Sequence, residues 1–125
     1  MSRRSAPARW MGWLMLAALG CSSDASKTRA AEAVVRHFFS ALPEGDCEVL
    51  APLLVTGGSA RPCVETVREL RGHGLTLVGI VESTVDGRDA EAVLVRARVA
   101  HGGRERPAPW LLRVERQDGD WRVRF

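Results

Sequence analysis

Few side chains in this sequence are suited to acid–base or nucleophilic chemistry. There are three histidines, His37, His73 and His101, three cysteines and no tyrosine. The histidines are scattered at no recognised metal-ligand spacing. Helical spacing turns His37 toward an apolar face, which makes it the candidate polar group of any cavity. His73 lies between Gly72 and Gly74 and reads as a loop residue, and His101 precedes Gly102-Gly103 at a strand end. Asp86 and Asp89 flank a turn signal and should be solvated, while Glu82 has no evident donor to pair with. Gly57-Gly58-Ser59 lacks the lysine and the preceding strand of a phosphate loop and reads as a turn. No metal and no cofactor is expected.

A second kind of chemistry is charge recognition. If Val93, Val95, Ala97 and Val99 point inward along one strand, Arg96 and Arg98 point outward. The same alternation turns Arg113 away from Leu112, and Arg122 and Arg124 away from Trp121, Val123 and Phe125. Arg96, Arg98, Arg113, Arg122 and Arg124 then share an outer face with Glu115 nearby. Planar guanidinium forks suit carboxylates and phosphates, so this is a candidate face for an anionic lipid, glycan or envelope protein. The plainer reading is a solvated face or a homodimer seam with cross-chain pairs.

The cysteines carry the clearest message. Met1–Arg9 holds Arg3, Arg4 and Arg9 and no acid, and Trp10–Leu19 is almost wholly apolar. A charged segment followed by a short apolar run is the pattern of an export signal. The run falls short of the about 20 apolar residues that a membrane span needs. Leu16-Ala17-Ala18-Leu19-Gly20-Cys21 resembles a bacterial lipobox, with Ala18 where Leu is commonest. The resemblance implies cleavage after Gly20 and lipidation of Cys21; an ordinary secretory signal beside a coincidental cysteine is the alternative. Lipidation would use up the odd cysteine and leave Cys47 and Cys63 to form a disulfide in an oxidising compartment, or to remain a buried thiol pair.

Charge balance follows from the same division. Of 18 basic residues, three lie in the signal, which leaves 15 against 15 acidic ones. A mature chain with no net charge gives no general reason to expect nucleic-acid binding. Residues 1–20 are therefore expected as a signal peptide, 21–27 as a lipidated polar tether, and 28–125 as one small domain.

The elements that must hold these residues are readable in order. Thr28–Leu42 has helical periodicity through Ala30, Ala33, Val34, His37, Phe38, Ala41 and Leu42, with Thr28 as N-cap and Pro43 beyond its end. Asp46 caps a short helix carrying Val49, Leu50, Leu53 and Leu54. Pro62 opens a third helix with Cys63, Val64, Val67 and Leu70, closed by Gly72-His73-Gly74. From Leu75 the period becomes that of strands: Leu75–Ser83, Ala90–His101, Trp110–Gln117 and a last strand with Trp121, Val123 and Phe125. Asp86-Gly87 and Asp118-Gly119 are hairpin signals. The expected fold is α+β, with N-terminal helices packed in the concave face of a curved antiparallel sheet of about four strands.

His37-Phe38-Phe39 followed by Gly45-Asp46, the antiparallel meander, and the closing Asp118-Gly119-Asp120-Trp121-Arg122-Val123 together resemble the nuclear transport factor two-like superfamily of cone-shaped domains. In particular they resemble its small bacterial lipoproteins. The resemblance spans about 28–125 and implies a pocket at the open end of the cone and frequent dimers. It implies no single activity, because the fold hosts isomerases, dehydratases and non-catalytic binding domains. Enzymes of the superfamily such as ketosteroid isomerase use a cavity carboxylate and a tyrosine hydroxyl, and tyrosine is absent here. The expectation is a non-enzymatic lipoprotein of the cell envelope. It would face the periplasm, preferentially from the outer membrane, with a domain that binds a small ligand or a partner. An isomerase- or hydrolase-like enzyme and an assembly accessory are the alternatives.

Overall fold

The computed structural model describes residues 23–125. Helix α1 runs Ser23–Ala41, α2 Cys47–Leu50 and α3 Cys63–Gly72, with 3-10 turns at Leu42–Glu44 and Ala51–Leu53. The strands are β1 Leu75–Asp86, β2 Asp89–His101, β3 Arg104–Glu105, β4 Trp110–Gln117 and β5 Asp120–Arg124. The sheet is antiparallel in the order β1-β2-β4-β5, and β3 adds a two-residue pairing to the end of β2. The expected α+β architecture is present, with one more short strand than the sequence suggested.

Helix α1 departs from expectation in two ways. It is already helical at Ser23, the first described residue, five residues before Thr28. Ser23-Asp24-Ala25-Ser26 contains no Gly or Pro to stop a helix, and Asp24 in the first turn favours its N-terminus. Thr28 is an interior residue whose hydroxyl donates to the Ala25 carbonyl at 3.1 Å. The buried face is also rotated. Ala31, Val35, Phe38 and Phe39 are buried, whereas Ala33 and His37 are exposed. The larger side chains Val35 and Phe39 turn the apolar stripe away from the small Ala33, and one helical position shifts a face by about 100°.

Two glycine-dependent turns set the strand register. Asp118 and Gly119 have φ of 54° and 85°, the mirror-image turn that matches strand twist. Gly102 and Gly103, at 55° and 85°, do the same between β2 and β3. Strand β1 is bulged between Leu77 and Gly79 and between Ile80 and Glu82 against β2. Bulges bend and twist a strand, which wraps this edge of the sheet around α1. The other edge, β5, is covered by Leu54–Thr56. Leu54 bridges Val123, the Val55 amide donates to the Val123 carbonyl at 2.9 Å, and Gln117 exchanges hydrogen bonds with the Thr56 backbone at 2.9 and 2.7 Å. An edge strand paired in this way is no longer a free template.

The core lies between α1 and the sheet. Val93, Val95, Ala97 and Val99 of β2, Leu112 and Val114 of β4, and Val123 of β5 pack with Val35, Phe38 and Leu42 in one apolar cluster. The inward set is the one the alternation predicts. Asp46 caps α2 by accepting from the Glu48 amide at 2.9 Å. The Cys47–Cys63 disulfide then joins α2 to α3, with Cα atoms 6.1 Å apart.

Candidate functional site

Few polar groups are buried beneath the sheet; the Ser83 hydroxyl, opposite the inward Val95, is one that is buried without a partner. Among the described residues, Thr66 is the single polar residue in the buried set. A hollow at the β5 edge, bounded by Leu54, Arg61, Thr66, Val123, Arg124 and Phe125, has about 10 Å³ of free space, room for one water at most. His37, expected as the cavity group, is exposed on the opposite side of α1 because of the rotated helical face. No trio of His, Cys, Asp or Glu among the described residues is placed to hold a metal. No described helix is long and apolar enough to cross a membrane. Cys21 lies outside the described residues.

The outer face of the sheet is where the charges meet. Register places Arg96, Arg98 and Arg113 on the side away from α1, with Arg122 and Arg124 opposite Glu115 and Arg113 on the neighbouring strand. The five arginines share one side of the sheet, and that side is not a bare basic field. Arg96 donates to Glu82 at 2.6 Å, and Arg98 grips Glu105 with two bonds of 2.9 and 2.6 Å. Arg113 reaches Asp86, Asp89 and Glu115 at 2.7, 3.0 and 3.1 Å, and Glu115 also accepts from Arg124. Hydrogen bonds from Arg124, and then from Arg113, hold the Glu115 carboxyl below its ordinary range against the opposing effect of burial. Asp86 is lowered chiefly by the Arg88 amide and then by Arg113, and Glu105 by Arg98. Arg113 is only 33% exposed and Arg122 has a buried Nε without a partner, so these two are not the freely solvated side chains the alternation suggested.

The acids were legible but misassigned. Asp86 and Asp89 read as solvated turn residues and Glu82 as unpaired. Each faces an arginine because the β1–β2 hairpin folds back along the same surface. Interleaved with these ion pairs are apolar side chains that the sequence reading did not single out. Leu111 of β4 is 62% exposed, and the bulge residues Val78 and Val81 of β1 are also exposed. The bulges in β1 take Val81 out of the inward alternation set by Leu75 and Leu77, and a bulge has no signature in the β1 sequence.

A third region lies at the end of the sheet where β2 meets β3. His73 and His101 stack edge to face with ring centres 6.0 Å apart, His101 touches Trp110 at 6.1 Å, and Trp110 leads through Phe125 to Phe38. The Arg106 guanidinium sits over Trp110 at 5.5 Å. The two histidine loops meet because Gly102 donates to the Gly74 carbonyl at 3.1 Å, and a Cβ on Gly74 would lie 3.2 Å from the Gly102 nitrogen. The paired Gly-flanked histidines were the available sequence signal. A shallow groove of about 470 Å³ also runs beside the disulfide, between Asp46 and the arginines Arg68 and Arg71.

No protein-family model matches the chain, and no curated protein matches it. Among solved structures it is similar to a five-substitution variant of a protein named Rd1NTF2_05. That match has a TM-score of 0.51 at 14% identity and covers 75% of this chain and 92% of the other. A Sinorhizobium meliloti protein described as a candidate polyketide cyclase superposes at a TM-score of 0.46 and 23% identity, over 74% of this chain and 92% of that one. Likeness at these identities speaks to fold alone.

Proposed function

From the premise that this chain has the nuclear transport factor two-like cone fold, we propose that it is a bacterial envelope lipoprotein, acylated on Cys21, whose domain binds a partner and does no chemistry. The observation that favours binding over catalysis is the make-up of the core: among the described buried residues Thr66 is the single polar one, and none is ionisable. A base acting on a bound substrate needs a cavity with a positioned ionisable group. The outer sheet face carries charged and apolar groups that are both accessible. There Leu111, Val78 and Val81 sit among ion pairs already satisfied within the chain.

Such a surface fits a protein partner of mixed character, first of all a second copy of the chain meeting face to face. It fits an anionic lipid or glycan less well, because the acids beside the arginines already occupy their donors. The lipobox-like run and the even cysteine pair that remains support export. Ser22, in place of the Asp that retains many such lipoproteins on the inner membrane, favours the outer membrane.

Two measurements test the reading. Intact mass of the membrane-extracted protein should begin at Cys21 with added acyl mass, and Cys21→Ala should abolish both; an unmodified mature chain starting elsewhere overturns the lipoprotein reading. Light scattering of the purified protein should give a dimer that Leu111→Glu converts to a folded monomer. A parent that is monomeric, and whose position 111 cross-links to no envelope protein in cells, overturns the docking face.

A further inference from the structure

A single residue, Ser22, separates Cys21 from Ser23, the first described residue of helix α1. Two residue steps span at most about 7 Å. The helix is not free to swing on that short link. Its Lys27 ammonium donates to the Ala90 carbonyl of β2 at 2.8 Å, and Ala31 and Val35 are buried in the core on the next two turns. A lipid on Cys21 would therefore hold the folded domain against the bilayer at one end of α1, not on a leash.

What lies at that end is specific. Ser23, Ser26, Lys27 and Ala30 of α1, with Arg116 of β4 and Trp121 of β5, line one surface hollow of about 370 Å³. The Arg116 guanidinium sits 5.7 Å from the centre of the half-buried Trp121 ring. Tryptophan rings with long cationic side chains beside them favour the membrane–water interface, where the ring is partly dehydrated and the charge reaches the headgroups. Asp24, Glu91, Asp118 and Asp120 are close in sequence to this hollow or its strands, and Glu91 approaches Arg116 at 3.5 Å. Attraction to anionic lipid is therefore not the driving term; the short link and the indole are. The other tryptophan of the domain, Trp110, stands far from this end. It contacts Phe125, which packs on Phe38, fifteen residues along α1 from Ser23, a rise of about 22 Å.

We infer that the end of the domain carrying Lys27, Arg116 and Trp121 rests on the phospholipid bilayer that holds the acylated Cys21, so that the end carrying Trp110, His101 and His73 faces away from it. This rests on acylation of Cys21, which the test measures separately.

The protein is expressed as the full chain, purified from membranes and reconstituted into phosphatidylcholine vesicles with brominated acyl chains. Intact mass reports acylation first. Processing after Gly20 removes Trp10 and Trp13, so Trp110→Phe leaves Trp121 as the single indole and Trp121→Phe leaves Trp110. The Trp121-only protein should lose roughly half or more of its emission relative to unbrominated vesicles, as a ring at the interface does. The Trp110-only protein should be unchanged. Inserting six Gly/Ser residues between Ser22 and Ser23 should keep acylation and vesicle binding but restore Trp121 emission. A chain without acyl mass overturns the lipoprotein reading and this orientation with it. Acylated, vesicle-bound protein with unquenched Trp121, with Trp110 quenched as strongly, or with quenching untouched by the insertion overturns the orientation alone. The insertion leaves the domain intact, so it decides the matter even if Trp121→Phe perturbs folding.

Discussion

The two faces of the sheet are made by the same strands and obey the same two-residue alternation, yet they are held by different physics. On the face toward α1, Val93, Val95, Ala97, Val99 and Val114 are fully buried against Val35 and Phe38. On the outer face, the positions between them carry Arg96 and Arg98, each paired with one acid, and Arg113 and Glu115, which share a network with Asp86, Asp89 and Arg124. Burial is proportional to area and indifferent to solution conditions near neutral pH, whereas exposed ion pairs are individually weak and screened by salt. Stability therefore resides on the inner face, and the outer face is free to be shaped for recognition.

That contrast can be broken most severely from within. Phe38→Ala removes a fully buried ring that touches Phe39 and Phe125 and should cost about 3–5 kcal/mol, enough to unfold much of so small a domain at 37 °C. Chemical denaturation of the variant measures it; a loss comparable to that of an outer-face variant would mean the core is not where stability lies. Next comes the staple beside the core. Cys47→Ser with Cys63→Ser opens a bridge of sequence separation 16 and should lower stability by about 3 kcal/mol, read as a lower urea midpoint. Peptide mapping that finds both thiols free in the parent would remove the basis for that figure.

Outer-face changes should be smaller. Arg113→Ala leaves Asp86 and Asp89 without their shared guanidinium, while Glu115 keeps Arg124, so a loss of about 1 kcal/mol is expected and should shrink in high salt. The same network sets an acid limb. Glu115 and Asp86 are lowered in the folded state, so their stabilisation is complete above the unfolded carboxylate values near about 4 and fades as pH falls through the lowered folded ones. Glu115→Gln should lower stability at neutral pH, where that stabilisation is fully present, and the deficit against the parent should shrink as pH falls through the lowered range. A parent whose stability rises on acidification would contradict the sign. Least of all, His37→Ala should shift stability within about 0.5 kcal/mol, because the imidazole is solvent-exposed on α1.

How much of this was legible can be judged residue by residue. The inward valines of β2 and the turn at Asp118-Gly119 follow from rules that reach only a few positions along the chain, and the structure agrees with them. The orientation of α1 did not follow. Ala30, Ala33 and His37 form as good a helical stripe as Ala31, Val35 and Phe39 when side-chain size is ignored, and only packing against β1 and β5 selects between them. The start of the helix was hidden for a related reason: Ser and Asp are compatible with both a tether and a first helical turn.

By itself the sequence determined the periods, the turns, the cysteine arithmetic and the sorting of apolar from charged side chains, because each is a property of neighbours in the chain. Tertiary structure decided which charges meet. Arg113 lies 24 residues from Asp89 and 27 from Asp86, and no local rule selects those partners. Tertiary structure also brought His73 to His101 through the Gly74–Gly102 contact, and it turned Val81 outward at a bulge. The physical reason is common to all three. Alternation fixes which side of a strand a residue faces, but the position of its partner depends on register, bulges and loop closure, which are set by the packing of the whole sheet against α1.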